Sequence, residues 1–201
     1  LCDSRRINTI SADVLFFCRT ASVSVHDTLV TTEDQYIRLD NIDAPEIGKC
    51  GSDESKKYLE KLVLNKKVFL KVSYLDGHRL IASAYTLDGN VAANMLKSGM
   101  AISLNKSNTD EVKREGFTEI SSNARNKKIG VFSDKCTQEK NSENPKCAIK
   151  GNVSKYGKFY RTPDCSQYKI TILQLYLDDQ WFCQESDALK AGFVKSPDCP
   201  K

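Results

Sequence analysis

Apolar and β-branched residues gather in short runs broken by polar positions along the first forty residues, and a helical period replaces them after residue 50. Segments 14–19, 22–31 and 35–41 are rich in β-branched and apolar residues and are predicted to be strands. The polar cluster Thr32-Glu33-Asp34 separates the last two as a hairpin turn would, which sets Arg38 nearly opposite Thr28 and brings Asp27 beside Arg38. A helix is predicted next: Ser52 is placed to cap it, Asp53 and Glu54 suit its positive end, and Tyr58, Leu59, Leu62 and Val63 form one apolar stripe. Strands over 67–74 and 79–87 follow, joined through Asp76-Gly77. Asn90 caps a short helix bearing Val91, Ala92, Met95 and Leu96, and Gly99 stops it. Residues 109–128 read as a longer helix that buries Val112, Phe117, Ile120 and Ala124, with Gly130 ending it. These elements define an α+β, mostly β unit complete by about residue 132.

Beyond that point the periodicity stops. The stretch 134–145 is polar and reads as a linker, and residues 147–201 hold four of the eight cysteines and the single tryptophan. Some 55 residues are marginal for a core alone, so covalent staples are expected there. The predicted domains are therefore 1–135, a linker over 136–146, and a small Cys-rich domain over 147–201.

Apolar content of 40% and charged content of 28% are those of a folded, water-soluble chain, and no apolar run approaches the roughly 20 residues of a transmembrane helix. Residues 14–17 are too short an apolar run for a signal-peptide core, so an export signal or membrane anchor would lie outside this sequence. A net charge of +4 is compatible with phosphate backbones but selects no partner. The cysteines are more informative. Eight of them, scattered and without a C-x-x-C pair, fit disulfides in an oxidising compartment better than zinc ribbons or free cytosolic thiols. A secreted or extracytoplasmic location is expected.

The segment 37–46, IRLDNIDAPE, carries the chemistry. Pro45 fixes its own φ and biases Ala44 away from helix, so Asp43 and Glu46 stand on a stiff loop. Two carboxylates so held can fix a hard cation and a water, and Asp27 and Asp43 could converge on one metal. Arg79 opens a strand after a turn and, like Arg38, presents a fork that matches phosphate oxygens. Together these groups suffice for phosphodiester hydrolysis, with a carboxylate as proton acceptor and cations opposing charge at phosphorus. Taken singly, each has a plainer reading: a helix-capping turn, a surface charge, a solvated strand end.

Residues 12–132 resemble the staphylococcal-nuclease (thermonuclease-like) domain, a five-stranded OB-type barrel with three helices. The resemblance is carried in order by Val25-His26-Asp27-Thr28, by Arg38-Leu39 through Ile42-Asp43-Ala44-Pro45-Glu46, by His78-Arg79, and by the helix 93–101. It implies that Asp27, Asp43 and the Ala44 carbonyl bind calcium. It further implies that Glu46 positions or deprotonates the attacking water, and that Arg38 and Arg79 hold the scissile phosphate. A calcium-dependent endo/exonuclease on DNA or RNA follows, with little sequence preference, single strands favoured and 3′-phosphate products. Val25, His26 and His78 depart from the family's pattern, and its base-stacking tyrosines have no counterpart, Gly77 and Asn105 falling near those positions. His26 and His78 read as solvated or structurally bonded side chains.

Residues 147–201 resemble the small sunset domain found after nuclease domains in secreted bacterial proteins, and also a zinc module of which only Cys165 and Cys199 remain. That resemblance implies disulfides Cys165–Cys199 and Cys147–Cys183 rather than zinc. For Cys2, Cys18, Cys50 and Cys136 three pairings stay open. A monomer is expected. The rival readings are a nuclease fold that binds nucleic acid or protein without cleaving, and a cell-surface interaction protein whose C-terminal domain supplies the function.

Overall fold

The computed structural model describes residues 15–104 and 111–200, and it divides into two compact units, Leu1–Gly130 and Val131–Lys201. Cys2, Asn105 and the first residues of the helix predicted from 109 lie outside the described residues.

In the N-terminal unit, β1 (Leu15–Val25), β2 (Thr28–Thr31) and β3 (Tyr36–Leu39) are followed by β4 (Ile42–Asp43) and α1 (Ser52–Val63). Next come β5 (Lys67–Asp76), β6 (Arg79–Thr86), β7 (Gly89–Asn90), α2 (Val91–Lys97), β8 (Ile102–Ser103) and α3 (Glu111–Asn126). The sheet order is β3-β2-β1-β5-β6-β7, and β3 also pairs with β6, so five principal strands close into a barrel. Val23, Leu29, Ile37, Leu39, Val68, Leu70, Val72, Leu80, Ala82 and Ala84 alternate inward and form its core with residues of α1 and α2. Full burial of a Val, Leu or Ile is worth about 1.5–3 kcal/mol, so this core is the main stabilising term.

The observed register sets Thr28 opposite Arg38, as the position of the turn predicts. The predicted strands over 14–19 and 22–31 are arranged differently. Two bulges let β1 run on through Val25, and the chain reverses at His26–Asp27 instead. Gly51, at φ 83°, stands at the N-cap of α1; Ser52 is its first residue and does not cap it. Asn90 caps α2 as predicted, its side chain accepting from the Ala93 amide at 2.8 Å. In α3, Phe117 and Ala124 are buried but Val112 is 80% exposed. Five residues before Phe117 on a helix is about 140° from it, which turns Val112 away from the barrel. Gly99 and Gly130 both have positive φ, and a Cβ on Gly99 would stand 2.3 Å from the Ile129 carbonyl oxygen.

The C-terminal unit begins at Val131, ahead of the stretch expected as a linker, and within that stretch β9 (Thr137–Gln138) pairs with β12 (Leu173–Gln174). Its main sheet contains β10 (Ile149–Ser154), β11 (Gly157–Arg161), β13 (Gln180–Phe182) and β14 (Val194–Lys195) in the order β13-β10-β11-β14, with α4 (Glu185–Lys190) beside it. One core cluster is Ile149, Tyr160, Phe182, Ala188 and Phe193, and Val131, Phe132, Leu173 and Tyr176 are buried as well. Buried polar groups add to it. The Lys150 ammonium donates to the carbonyls of Tyr168, at 3.0 Å, and Thr171, and it stands over the Tyr168 ring. Asp179 accepts from the amides of Val153 and Gln174 and from the Asn152 side chain. Disulfides Cys147–Cys183 and Cys165–Cys199 are both present, as the resemblance implied. Cys18, Cys50 and Cys136 are likewise disulfide-bonded.

Candidate active site

Burial of Asp27 organises the site. It follows His26 in the turn that ends β1, where the Leu39 amide donates to its carbonyl at 2.8 Å and ties the turn to β3. Its carboxylate, in a residue only 4% exposed, accepts from Thr28 Oγ1 at 3.1 Å and from Arg38 Nη1. Arg38 Nη2 donates to Asp43 Oδ1 at 3.0 Å, so one guanidinium joins the end of β1 to the end of β4. Burial pushes the Asp27 carboxyl above its usual pKa despite the arginine. For Arg38, burial works against the charge, but Asp27 and Asp43 outweigh it and its pKa is raised.

Ala44 and Pro45 are buried and anchor the loop, which leaves Glu46 exposed immediately beyond them. The Lys49 amide donates to the Glu46 carbonyl at 3.0 Å in a turn, so the loop holds its shape where the carboxylate reaches out. His26 is buried beneath. Its pKa is lowered by burial, which outweighs the opposing pull of the Glu46 and Asp27 carboxylates. The histidine is thus a neutral neighbour of both carboxylates, a placement the sequence pattern did not disclose.

Arg79 opens β6, with Tyr36 opposite it on β3 and Asp76 opposite it on β5. Two residues along, Arg38 faces Ile81, and Ile81 faces Tyr74. Registered partners in a sheet share a face, and residues two apart on a strand share it too. Arg38, Arg79, Tyr36 and Tyr74 therefore stand on one outer face of the barrel. The two arginines are diagonal neighbours about 8 Å apart at Cα, within reach of one phosphodiester. Arg79 is 45% exposed, and its Nη2 donates to Asp76 at 2.9 Å, an exposed pair of small energy that a phosphate can displace. Tyr36 and Tyr74 went unnoticed in the sequence, although a tyrosine two residues before a strand arginine is the signal that would have found the first.

Asp27 and Asp43 meet on Arg38 here. The donors suit a hard cation: both are carboxylates, no thiolate competes, and buried Asp27 carries charge that a divalent ion would compensate. Among the described residues no three His, Cys, Asp or Glu side chains are grouped to hold a metal, so such an ion would complete its shell with backbone oxygen and water.

Comparison with known proteins agrees with this fold. Residues 36–134 match the family described as staphylococcal nuclease homologue. The chain is 32% identical over 122 residues to a Haemophilus influenzae protein described as an uncharacterized endonuclease. That alignment takes in 58% of this chain and 66% of the other, just under two thirds of the relative's length. With the closed barrel and the match over residues 36–134, the chain carries a staphylococcal nuclease domain.

Proposed function

We propose that this protein is a calcium-dependent nuclease that hydrolyses phosphodiester bonds of DNA or RNA with little sequence preference and leaves 3′-phosphates. The observation that carries the reading is the shared face of Arg38 and Arg79 beside the loop that presents Glu46. Arg38 and Arg79 bind the scissile phosphate through its non-bridging oxygens and oppose the charge that grows there in the transition state. Glu46 accepts the proton of the attacking water as the new P–O bond forms and the bond to the 5′-oxygen breaks, and the departing oxygen takes a proton from solvent, so the products are a 3′-phosphate and a 5′-hydroxyl. Asp27, Asp43 and the Ala44 carbonyl would hold the calcium ion, which supplies additional positive charge at the phosphate when bound. Tyr36 and Tyr74 offer ring faces to the flanking bases, in place of the tyrosines missing near Gly77 and Asn105, and favour single strands.

The disulfides support a secreted or extracytoplasmic site of action. Among the described residues no helix is long and apolar enough to cross a membrane. The C-terminal unit is read as an accessory, sunset-like domain, and the whole protein as a monomer.

The test is degradation of single-stranded DNA with added calcium and with chelator, followed by end-group analysis. Calcium-dependent cleavage to 3′-phosphates is expected. Undiminished cleavage in excess chelator, or 5′-phosphate products, would refute the mechanism. Calcium should also raise the melting temperature, by about 10 °C when present at roughly 100 times its Kd.

A further inference from the structure

A second group of aromatic and basic side chains lies elsewhere on the barrel's outer surface. Phe17 of β1 is opposite Phe69 of β5, and Phe69 is opposite Tyr85 of β6. Three aromatic residues thus form one row across three strands, with the first two ring centroids 4.5 Å apart and tilted by 58°. Their inward neighbours Val68, Leu70 and Ala84 fill the barrel core, so the row stands on the outside. Phe17 is 52% exposed. At one end of the row Arg19 stands opposite Lys67, and among the described residues neither has a carboxylate partner. Two cations directly opposite each other in a sheet are destabilising. Beside them is a cleft of about 380 Å³ lined by Lys66, Lys67, Phe69, Thr86, Leu87 and Asp88.

We infer that this row and the cations beside it form a second binding site for single-stranded nucleic acid, apart from the arginine pair. Exposed rings on a sheet stack bases of any sequence, and flanking lysine and arginine track the phosphates. The paired cations Arg19 and Lys67 then have a counter-charge in the ligand, which a purely structural role would not give them. Arg79 and Tyr85 are six residues apart on one strand, about 20 Å, so a strand seated here lies outside the cleavage site and would hold a long substrate near it. The inference shares the substrate class of the proposed activity, but binding measured in chelator tests it without any cleavage.

The experiment is fluorescence anisotropy of a labelled oligothymidylate of about 12 nucleotides, within the footprint of an OB-type domain. The wild-type protein should bind it, and the variant carrying Phe17→Ala and Phe69→Ala should bind about 5- to 150-fold more weakly for each stacked base lost. Lys67→Ala should make the salt dependence shallower by about 0.7 in the log–log slope. Phe69→Trp keeps a stacking face and should retain binding, which separates lost stacking from misfolding. Phe17→Ala should leave cleavage of a dinucleotide unchanged. Wild-type affinity in the double variant, or no binding by the wild-type protein, overturns the inference. Loss of binding in the double variant from a wild-type protein that cleaves nothing would leave this site standing and remove the nuclease reading.

Discussion

Removal of Arg38 tests how the site is held together. The Arg38 side chain is 19% exposed, Asp27 is 5% and Asp43 is 35%. Arg38→Ala would leave the Asp27 carboxylate buried with only the Thr28 hydroxyl to support it. Removing one partner of a buried ion pair costs about 3–5 kcal/mol. The contact with half-exposed Asp43 adds at most about 1 kcal/mol. For a unit of this size the loss corresponds to a fall of about 10–20 °C in melting temperature. Asp27 can also escape its predicament by taking up a proton. Burial already raises its pKa, and loss of the guanidinium raises it further. A carboxyl whose folded pKa is raised contributes stability below its unfolded value of 3.8, and that contribution is lost as pH rises through the folded value. The deficit of Arg38→Ala should therefore be small near about pH 4 and full near about pH 7.5. Circular-dichroism melts in chelator at both values measure it, and adding Asp27→Asn to the variant should recover most of the loss at neutral pH. A deficit that does not change with pH, or none at neutral pH, would refute the account of a buried carboxylate held by this arginine.

Three other outcomes are expected. Glu46→Gln should lower the maximal cleavage rate by about 10²–10⁴-fold while the melting temperature stays within a degree or two, because the side chain is exposed. Gly99→Ala forces a Cβ to 2.3 Å from the Ile129 carbonyl at φ +67° and should destabilise by more than about 1 kcal/mol in urea titration, whereas Gly48→Ala, with open space around it, should cost less. Asp198 is pulled below its usual pKa, burial being outweighed by hydrogen bonds from Ser196 and Gln167 and by Arg161. Its stabilising contribution is present above the unfolded value of 3.8 and lost as pH falls through the folded one. Asp198→Asn should therefore flatten the acid end of the stability profile followed by fluorescence of Trp181, the single tryptophan.

Much of the barrel is legible where a local rule acts alone. The polar turn at 32–34 and the period of two on either side determine that Thr28 faces Arg38, and from that pairing the approach of Asp27 to Arg38 follows. Asn90 and Gly99 delimit α2 because capping and positive φ are local demands. Misreadings arise where tertiary context prevails. The bulges that carry β1 through residues 20–25 are absorbed by its pairing with β2, which no local signal announces. Gly51 displaces Ser52 from the cap because the preceding turn needs a left-handed residue there. The partners of a side chain are less legible still. That Asp27 and Asp43 share a guanidinium, and that Arg79 turns toward Asp76, depends on rotamers and burial that spacing alone does not encode. The polar stretch near 137 forms a strand only because residues far downstream supply its partner.

Two cystine bridges of the C-terminal unit interleave along the chain: Cys165 lies inside the loop closed by Cys147 and Cys183, and Cys199 lies outside it. Each bridge spans a long loop, with separations of 36 and 34 residues. Sequence neighbours such as Cys147 and Cys165 are about half as far apart. Halving a loop favours its closure by about 0.6 kcal/mol, so an unstructured chain forms the wrong neighbour pairs roughly threefold more readily. Correct pairing must then wait until the sheet has assembled, or errors must be reshuffled by thiol exchange over seconds to hours. Reversible thiol exchange should therefore favour maturation of this small unit, and a strong oxidant applied to the unfolded chain would lock in the mispaired forms.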